Sequence, residues 1–255
     1  MTVQTREQSG SGPGARWSDE LIDLSRPLTV DTVDALFGDI VSEGRNPYFR
    51  DITVAVAVDH TQGNVYSCLL TIPDHVATHM DAPIHAVEGG DFLEQVDIRR
   101  LIGEAVVLDL TGFDPDHAYT AADLSDAAPA VRAGDIVLIY SGFRDAKPGE
   151  RMHQTYLSGE AAQWLVDQGV HAVGVEPASP DPIYAGMYEY GWLDKGAPGA
   201  WPAHTTLLGN DVYIIEGLVN LDKIKGERIQ FAALPPLIPG LSGAPVRAVA
   251  WRAPV

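Results

Sequence analysis

The chain has 255 residues, of which 45% are hydrophobic and 20% are charged, an ordinary balance for a globular protein that can bury one large core. Its 35 acidic residues outweigh its 17 basic residues, which gives a formal net charge of −18. This charge would repel nucleic-acid phosphates and anionic membrane surfaces. We therefore expect neither nucleic acid nor a membrane as a partner.

The N-terminal residues 1–20 are polar, rich in glycine, serine and glutamine, and lack the apolar core of a signal peptide. We expect a flexible tail over residues 1–20, a single domain over residues 21–255 and a cytoplasmic location. The single cysteine, Cys68, excludes an intrachain disulfide bond. Because Cys68 lies in an apolar run from Val65 to Leu70, it is predicted to be a small buried core residue.

The predicted elements begin with two β-branched strands and continue as helices that alternate with strands. The first strand covers residues 52–58 and the second covers residues 65–72, with a turn at Gln62-Gly63-Asn64 between them. This order predicts a single α/β domain with a mixed sheet. The later elements are a strand over 105–110, a helix opened by a capping box at Thr120–Asp123, a strand over 135–140, a helix over 158–168 that Gly169 ends, and strands over 171–175, 212–215 and 246–251.

A cluster of side chains that can bind metal lies between residues 75 and 85. Histidine nitrogen and carboxylate oxygen are ligands that zinc, manganese and iron accept. Pro83 interrupts any helix here and Pro73 ends the preceding strand, so we expect a folded loop rather than a strand. The candidate ligands are His75, His79, Asp81 and His85, which include three of the eight histidines of the chain.

Two further candidate ligands lie far along the chain. His204 begins a short turn that ends at Gly209. Glu216 follows the apolar pair Ile214-Ile215 at the end of a predicted strand. A carboxylate at the end of a buried strand needs a partner such as a cation. We therefore expect His204 and Glu216 to complete the same site.

The segment from His75 to His85 resembles the signature His-x-Gly-Thr-His-x-Asp-x-Pro-x-His of the cyclase family, which includes bacterial kynurenine formamidases, isatin hydrolases and certain aromatic-polyketide cyclases. Its one departure is Ala77, where the family has glycine; the methyl group is tolerated if the backbone is not left-handed. The resemblance implies a single α/β domain of swivelling β/β/α architecture with a central mixed sheet. Residues 22–28, 135–142, 174–181, 216–220 and 243–247 also resemble family segments.

The resemblance also implies a metal centre with one or two divalent ions, zinc or manganese, in a catalytic domain. The family usually forms dimers or tetramers, so a homodimer or homotetramer is expected. The implied ligands are His75, His79 and Asp81 for a first ion, and Asp81 as a bridge, His204 and Glu216 for a second ion.

The function that the resemblance implies is hydrolysis of a C–N bond in an amide, a lactam or an aryl-formamide-like small molecule. A divalent ion can bring the pKa of a bound water to about 7 and can polarise a carbonyl group. His85 would then carry a proton to the departing nitrogen, although a role for His85 as a further metal ligand stays open. The alternatives are an aromatic polyketide cyclase that uses the same centre, and a metal-binding protein without catalysis.

The sequence constrains the identity of the substrate less than it constrains the metal ligands. Kynurenine formamidases of this family carry Trp-Pro-Gly-Asp near the N-terminus, and that tryptophan packs on the aromatic substrate. This chain has Leu36-Phe37-Gly38-Asp39 instead, which makes Phe37 the candidate substrate contact. An aromatic, glycine-rich stretch from Tyr184 to Trp192 is a candidate wall of the pocket. Both features favour a cyclic or aromatic substrate other than N-formylkynurenine.

Overall fold

The computed structural model describes residues 21–29, 31–32, 52–145, 153–182 and 201–253. Three sequence-based predictions fall outside these residues: the tail over 1–20, the substrate contact at Phe37 and the aromatic stretch over 184–192. These predictions therefore stay predictions.

The described residues form strands and short helices, and the strands and helices that the sequence predicts appear among them in the predicted order. The strands are β1 Ile22–Asp23, β2 Thr53–Val58, β3 Ser67–Thr71, β4 His79–Asp81, β5 Ile102–Asp109, β6 Ala118–Tyr119, β7 Ile136–Tyr140, β8 Tyr156–Leu157, β9 Ala172–Val175, β10 Tyr213–Glu216, β11 Arg228–Ala232, β12 Gly243–Pro245 and β13 Val249–Trp251. The α-helices are α1 Ala121–Asp126, α2 Gly159–Asp167 and α3 Pro202–Leu208. Short 3-10 helices cover Pro83–His85, Leu93–Gln95, Ile98–Leu101 and Leu221–Lys223.

Nine strands of the described residues make one mixed sheet in the order β1-β13-β11-β5-β7-β9-β10-β4-β12. Strands β5, β7, β9 and β10 run parallel in its centre, and antiparallel strands extend it on both sides. The central strands are continuous apolar runs because both of their faces are covered. The expected single α/β fold with a central mixed sheet is confirmed.

Alternation along β5 distributes its side chains between two hydrophobic cores. Ala105 and Val107 pack in a core with residues of the antiparallel strands, such as Phe231. Val106 and Leu108 pack in a second core, beneath the α-helices. Helices α1, α2 and α3 contribute Leu124, Ala161, Leu165, Ala203, Leu207 and Leu208 to this second core.

The helix ends follow the capping signals of the sequence. Thr120 and Asp123 form the predicted capping box at the start of α1. Ser158 caps α2 by accepting a hydrogen bond from the backbone N–H of Ala161. Gly169, at a φ of 73°, ends this segment in the left-handed conformation that glycine adopts readily.

Three local predictions are wrong. The segment that begins at His204 was expected to be a short turn, but His204 lies within helix α3. Residues His79–Asp81 form strand β4 rather than a loop, because β10 and β12 pair with this segment on both sides. Cys68 is exposed rather than buried, because β2 and β3 form a separate two-stranded sheet whose apolar side chains face solvent. Within the described residues, no helix has the length and apolar character needed to cross a membrane.

Candidate metal centre

Strand β4 carries the centre of the histidine motif into the main sheet. His79 and Asp81 are two residues apart, so their side chains share one face, while Met80 points into the core on the other face. In the antiparallel register of β4 and β10, Glu216 lies opposite His79. Pairing of two strands therefore places both carboxylates and one imidazole side by side.

Helix α3 brings His204 to the same point. Its Nε2 lies 3.2 Å from Glu216 Oε1 and 3.5 Å from Asp81 Oδ2. On the other side, His79 Nε2 lies 3.2 Å from Glu216 Oε2 and 3.4 Å from Asp81 Oδ1. All four side chains are buried. The structure thus brings together residues that are far apart in the sequence.

His75 lies at the edge of this group and is partly buried. Its Nδ1 lies 2.7 Å from Asp81 Oδ1, and its Nε2 lies 2.8 Å from the hydroxyl of Ser242. The Ser242 hydroxyl in turn donates to Asp74 Oδ2. Ligand atoms of His75, His79 and Asp81 lie within 4.8 Å of one another, a spacing that one ion could bridge.

The electrostatics of the group favour positive charge at its centre. Burial alone would raise the pKa of Asp81, but the charge of His75 and the nearby imidazoles of His204 and His79 hold it well below its usual range. Burial opposes protonation of His79, yet the adjacent carboxylates of Asp81 and Glu216 raise its pKa to about 10. Burial likewise opposes protonation of His204, yet the carboxylates of Asp181, Asp81 and Glu216 raise its pKa well above its usual value. The buried carboxylates of this group therefore require positively charged groups beside them.

Two buried carboxylate oxygens fit a metal ion. Among the described residues, neither Asp81 Oδ2 nor Glu216 Oε1 has a hydrogen-bond partner of acceptable geometry. Both oxygens face His204 Nε2, so one nitrogen and two oxygens surround the same point. A buried acceptor without a partner is costly, and a bound cation would remove that cost. This donor set suits zinc or manganese.

The ring of His85 stacks on His75 at a centroid distance of 3.9 Å and lies 5.5 Å from the ring of His204. The residue is exposed overall. Loss of water around its imidazole is the largest cause that lowers its pKa to about 4; the charge of Asp81 opposes this shift, and the charges of His75 and His204 add to it. A ligand group of Asp81, His85 and His204 also lies within 4.8 Å. Both roles considered for His85 are compatible with this position.

The backbone beneath the site is strained at Ala77, where φ is 55°. The sequence-based condition for tolerating a methyl group, a backbone that is not left-handed, is therefore not met. The carbonyl oxygen of Ala77 packs tightly on Gly217, because a Cβ placed there would lie 2.3 Å from it. The hydroxyl of the adjacent Thr78 donates to the carbonyl of Gly217 at 2.7 Å. This close packing holds β4 and β10 together at the ligand end.

Sequence reasoning missed three residues that contact the site. Asp181 accepts a hydrogen bond from His204, Ser242 contacts His75, and the ring of Trp201 lies 5.4 Å from the ring of His204. Asp181 lies in the segment 174–181, and Ser242 directly precedes the segment 243–247; both segments resemble the family. This location was the one feature of the sequence that could have indicated that the two residues contact the site. Nothing in the local sequence of Trp201 indicated its place.

Comparison with known proteins shows which family model and which relatives this chain resembles. The family model described as "Putative cyclase" matches residues 22–182. The kynurenine formamidase of Erythrobacter litoralis is 30% identical over 168 residues, which cover 65% of this chain and 68% of that protein. The isatin hydrolase of Roseibium aggregatum is 30% identical over 203 residues, which cover 71% of this chain and 73% of that protein.

Solved structures agree in fold. Isatin hydrolase A from Ralstonia solanacearum matches 92% of each chain with a TM-score of 0.69 and 22% identity. An isatin hydrolase bound to the product analogue thioisatinate matches 91% of each chain with a TM-score of 0.71 and 20% identity. At such identities the likeness establishes the fold, and it confirms the predicted swivelling β/β/α architecture.

Proposed function

Because this chain belongs to the cyclase family, we propose that it is a metal-dependent hydrolase that opens a C–N bond in an amide, a lactam or an aryl-formamide-like small molecule. The observation that carries the proposal is the convergence of buried imidazoles and carboxylates around two carboxylate oxygens that have no hydrogen bond of acceptable geometry within the described residues. The relatives named kynurenine formamidase and isatin hydrolase support hydrolysis of an amide or lactam. We further propose that residues 21–255 form one catalytic domain.

The proposed metal ligands divide between two ions that share one carboxylate. In support, Asp81 Oδ1 faces His75 and His79, whereas its Oδ2 faces His204. A divalent ion in such a site would polarise the substrate carbonyl and make water a better nucleophile at neutral pH. The proposed set is His75, His79 and Asp81 for a first zinc or manganese ion, and Asp81, His204 and Glu216 for a second.

His85 is the proposed proton carrier. Hydrolysis forms a C–O bond to water and breaks the C–N bond, so one proton must leave the water and one must reach the nitrogen. A neutral imidazole has one nitrogen that accepts a proton and one that donates a proton, so His85 can accept the proton from water. The resulting imidazolium can donate a proton to the departing nitrogen. Its exposed position beside His75 and His204 supports contact with substrate.

The proposed substrates are cyclic or aromatic. Trp201 is half-buried beside His204, with the two rings 5.4 Å apart and nearly perpendicular, so it offers a flat apolar surface next to the proposed metal ligand. This surface supports an aromatic group in the substrate. Phe37 remains a second proposed contact, on the sequence argument alone.

The test combines metal analysis of the purified protein with turnover assays on N-formylkynurenine, isatin and simple cyclic imides. We expect one or two equivalents of zinc or manganese per chain and ring opening or deformylation that a chelator abolishes. Asp81→Ala should abolish tight metal binding, because this carboxylate would contact both ions. A protein that holds its metal but opens no amide, lactam or imide would instead favour the cyclase alternative, which ring closure of a poly-β-keto substrate would establish.

A second experiment separates the two roles of His85. His85→Ala should leave the metal content nearly intact and lower turnover by about a hundredfold or more, the usual scale of a general acid–base group. His117→Ala is the matched control, because His117 lies outside the histidine cluster and contacts Asp123. Loss of metal together with activity in His85→Ala would make His85 a ligand and refute the proton-carrier role.

We also propose that the chain forms a homodimer or homotetramer through the hairpin of β2 and β3. In the register of this hairpin, Val54 lies opposite Leu70 and Val56 lies opposite Cys68. These four apolar side chains share one face, and all four are exposed. An exposed apolar patch of this kind supports an interface, and a second copy can pair with it across a twofold axis.

Light scattering after gel filtration tests the oligomer. Leu70→Asp should reduce the molar mass to that of the monomer, whereas Leu237→Asp, at an exposed apolar position outside the hairpin, should not. Cys68 provides a second measurement because it is the only cysteine: a maleimide should label it slowly in the oligomer and rapidly in the Leu70→Asp variant. A monomeric wild-type protein, or an unchanged mass for Leu70→Asp, would refute this interface.

A further inference from the structure

Asp181 is a fully buried carboxylate that contacts a proposed metal ligand but cannot reach the metal side of that ligand. It lies in the segment that follows β9. Its Oδ2 lies 2.7 Å from His204 Nδ1 and also accepts the backbone N–H of His204 at 2.9 Å. Its Oδ1 accepts the backbone N–H of Ala203 at 2.9 Å. One carboxylate thus holds both the main chain and the imidazole of the same residue.

This contact determines which nitrogen of His204 carries a proton. An ionised carboxylate only accepts hydrogen bonds, so the Nδ1 that faces Asp181 must be the donor. In the neutral imidazole, the lone pair then lies on Nε2, which points toward Asp81 Oδ2 and Glu216 Oε1. We propose that Asp181 is a positioning residue that fixes the tautomer and orientation of His204 for metal binding. The proposal rests on the proposed metal-dependent function.

Asp181 is itself held rigidly. Its backbone N–H donates to the hydroxyl of Ser179, and its carbonyl accepts from Gln154 Nε2 at 2.8 Å. The same Nε2 also donates to the carbonyl of Ser179. Gln154, Ser179 and Asp181 are all buried, so the carboxylate has little freedom to turn. A ligand imidazole held by a fixed outer carboxylate loses less freedom when a metal binds.

His79 illustrates the weaker form of the same arrangement. Its Nδ1 lies 3.2 Å from the carbonyl oxygen of Ala77, a neutral acceptor. A charged acceptor at 2.7 Å makes a stronger hydrogen bond and increases the basicity of the ligand nitrogen. We therefore expect the outer contact of His204 to contribute more to metal affinity than the outer contact of His79.

The experiment measures zinc affinity by competition with a chromogenic chelator. Asp181→Asn should weaken zinc binding by about 10- to 100-fold, the usual effect of losing an outer carboxylate. Glu176→Gln is the matched control: Glu176 is also a buried carboxylate at the end of β9, and its Oε2 accepts hydrogen bonds from the backbone N–H groups of Ser141, Gly142 and Phe143. Its loss should reduce stability and leave zinc affinity unchanged.

Nitrogen NMR of the zinc-loaded protein adds a readout of the tautomer. In the wild type, His204 should show a protonated Nδ1 and a metal-bound Nε2. Equal zinc affinity in Asp181→Asn and wild type would overturn the positioning role. If Asp181→Asn does not fold, Gln154→Met provides a second variant, because it removes the two hydrogen bonds that anchor the 179–181 segment. Unchanged zinc affinity in Gln154→Met would also count against the proposal. Absence of tight zinc or manganese binding by the wild type would refute the proposed function itself.

Discussion

Replacing Ala77 by glycine tests whether the metal-binding segment is strained in this chain. Ala77 has a φ of 55° and its side chain is almost fully buried beside Val76, Ile52 and Ile72. The left-handed conformation costs an L-residue about 1–2 kcal/mol, because Cβ approaches the following carbonyl oxygen. Glycine has no Cβ and would remove this cost.

Two losses oppose the gain. Removing a buried methyl group costs about 0.8 kcal/mol, and the greater freedom of glycine in the unfolded chain costs about 0.4–1 kcal/mol. The net change in the free energy of unfolding should therefore lie within about 0.8 kcal/mol of zero. A buried alanine without strain would show the losses alone.

Ala82→Gly supplies that comparison, because Ala82 is fully buried in the same segment but has an extended φ of −88°. We expect Ala82→Gly to lower the free energy of unfolding by about 1.2–1.8 kcal/mol. Reversible urea unfolding in the presence of a chelator measures both variants without a contribution from metal. Ala77→Gly should exceed Ala82→Gly in stability by about 1–2 kcal/mol. Equal losses in the two variants would refute the inference of strain.

Three further predictions follow from the same geometry. Gly217→Ala should lower the free energy of unfolding, measured in urea, by about 2–5 kcal/mol, because it adds left-handed strain and a Cβ 2.3 Å from the Ala77 oxygen. Gly226→Ala is the control: its Cβ would have open space around it, so only the left-handed strain should lower its stability. In metal-free protein, the low pKa of His85 means that only the unfolded chain takes up its proton between pH 6.5 and about 4. The contribution of His85 to stability should therefore fall as pH falls through this window. The free energy of unfolding of His85→Gln should fall less steeply than that of the wild type over this range, and equal slopes would contradict the pKa shift. Trp201→Leu should raise the KM for isatin by roughly 2- to 12-fold, from the loss of an aromatic contact of about 0.5–1.5 kcal/mol, without changing the KM for a non-aromatic cyclic imide; equal increases for both substrates would exclude stacking.

The local sequence was sufficient to predict the elements that depend on interactions between neighbouring residues. The capping box at Thr120, the cap at Ser158 and the apolar runs of the central strands each depend on neighbouring residues, and these elements appear where they were predicted. The sequence also restricted the candidate metal ligands to a short list, because three of the eight histidines lie within eleven residues. The assignment of these ligands to an ion remains a prediction.

Only the tertiary structure determined the features that depend on strand pairing and on contacts between segments far apart in the sequence. Residues 79–81 were expected to form a loop, but pairing with β10 and β12 makes them a strand and places Glu216 opposite His79. Cys68 was expected in the core, yet its hairpin pairs only with itself in the described chain and leaves the residue exposed. The role proposed for Asp181 could not be read from its neighbours, because its partner is 23 residues away. Strand register and helix docking are set by long-range packing, so distances between side chains at the site follow only from the folded chain.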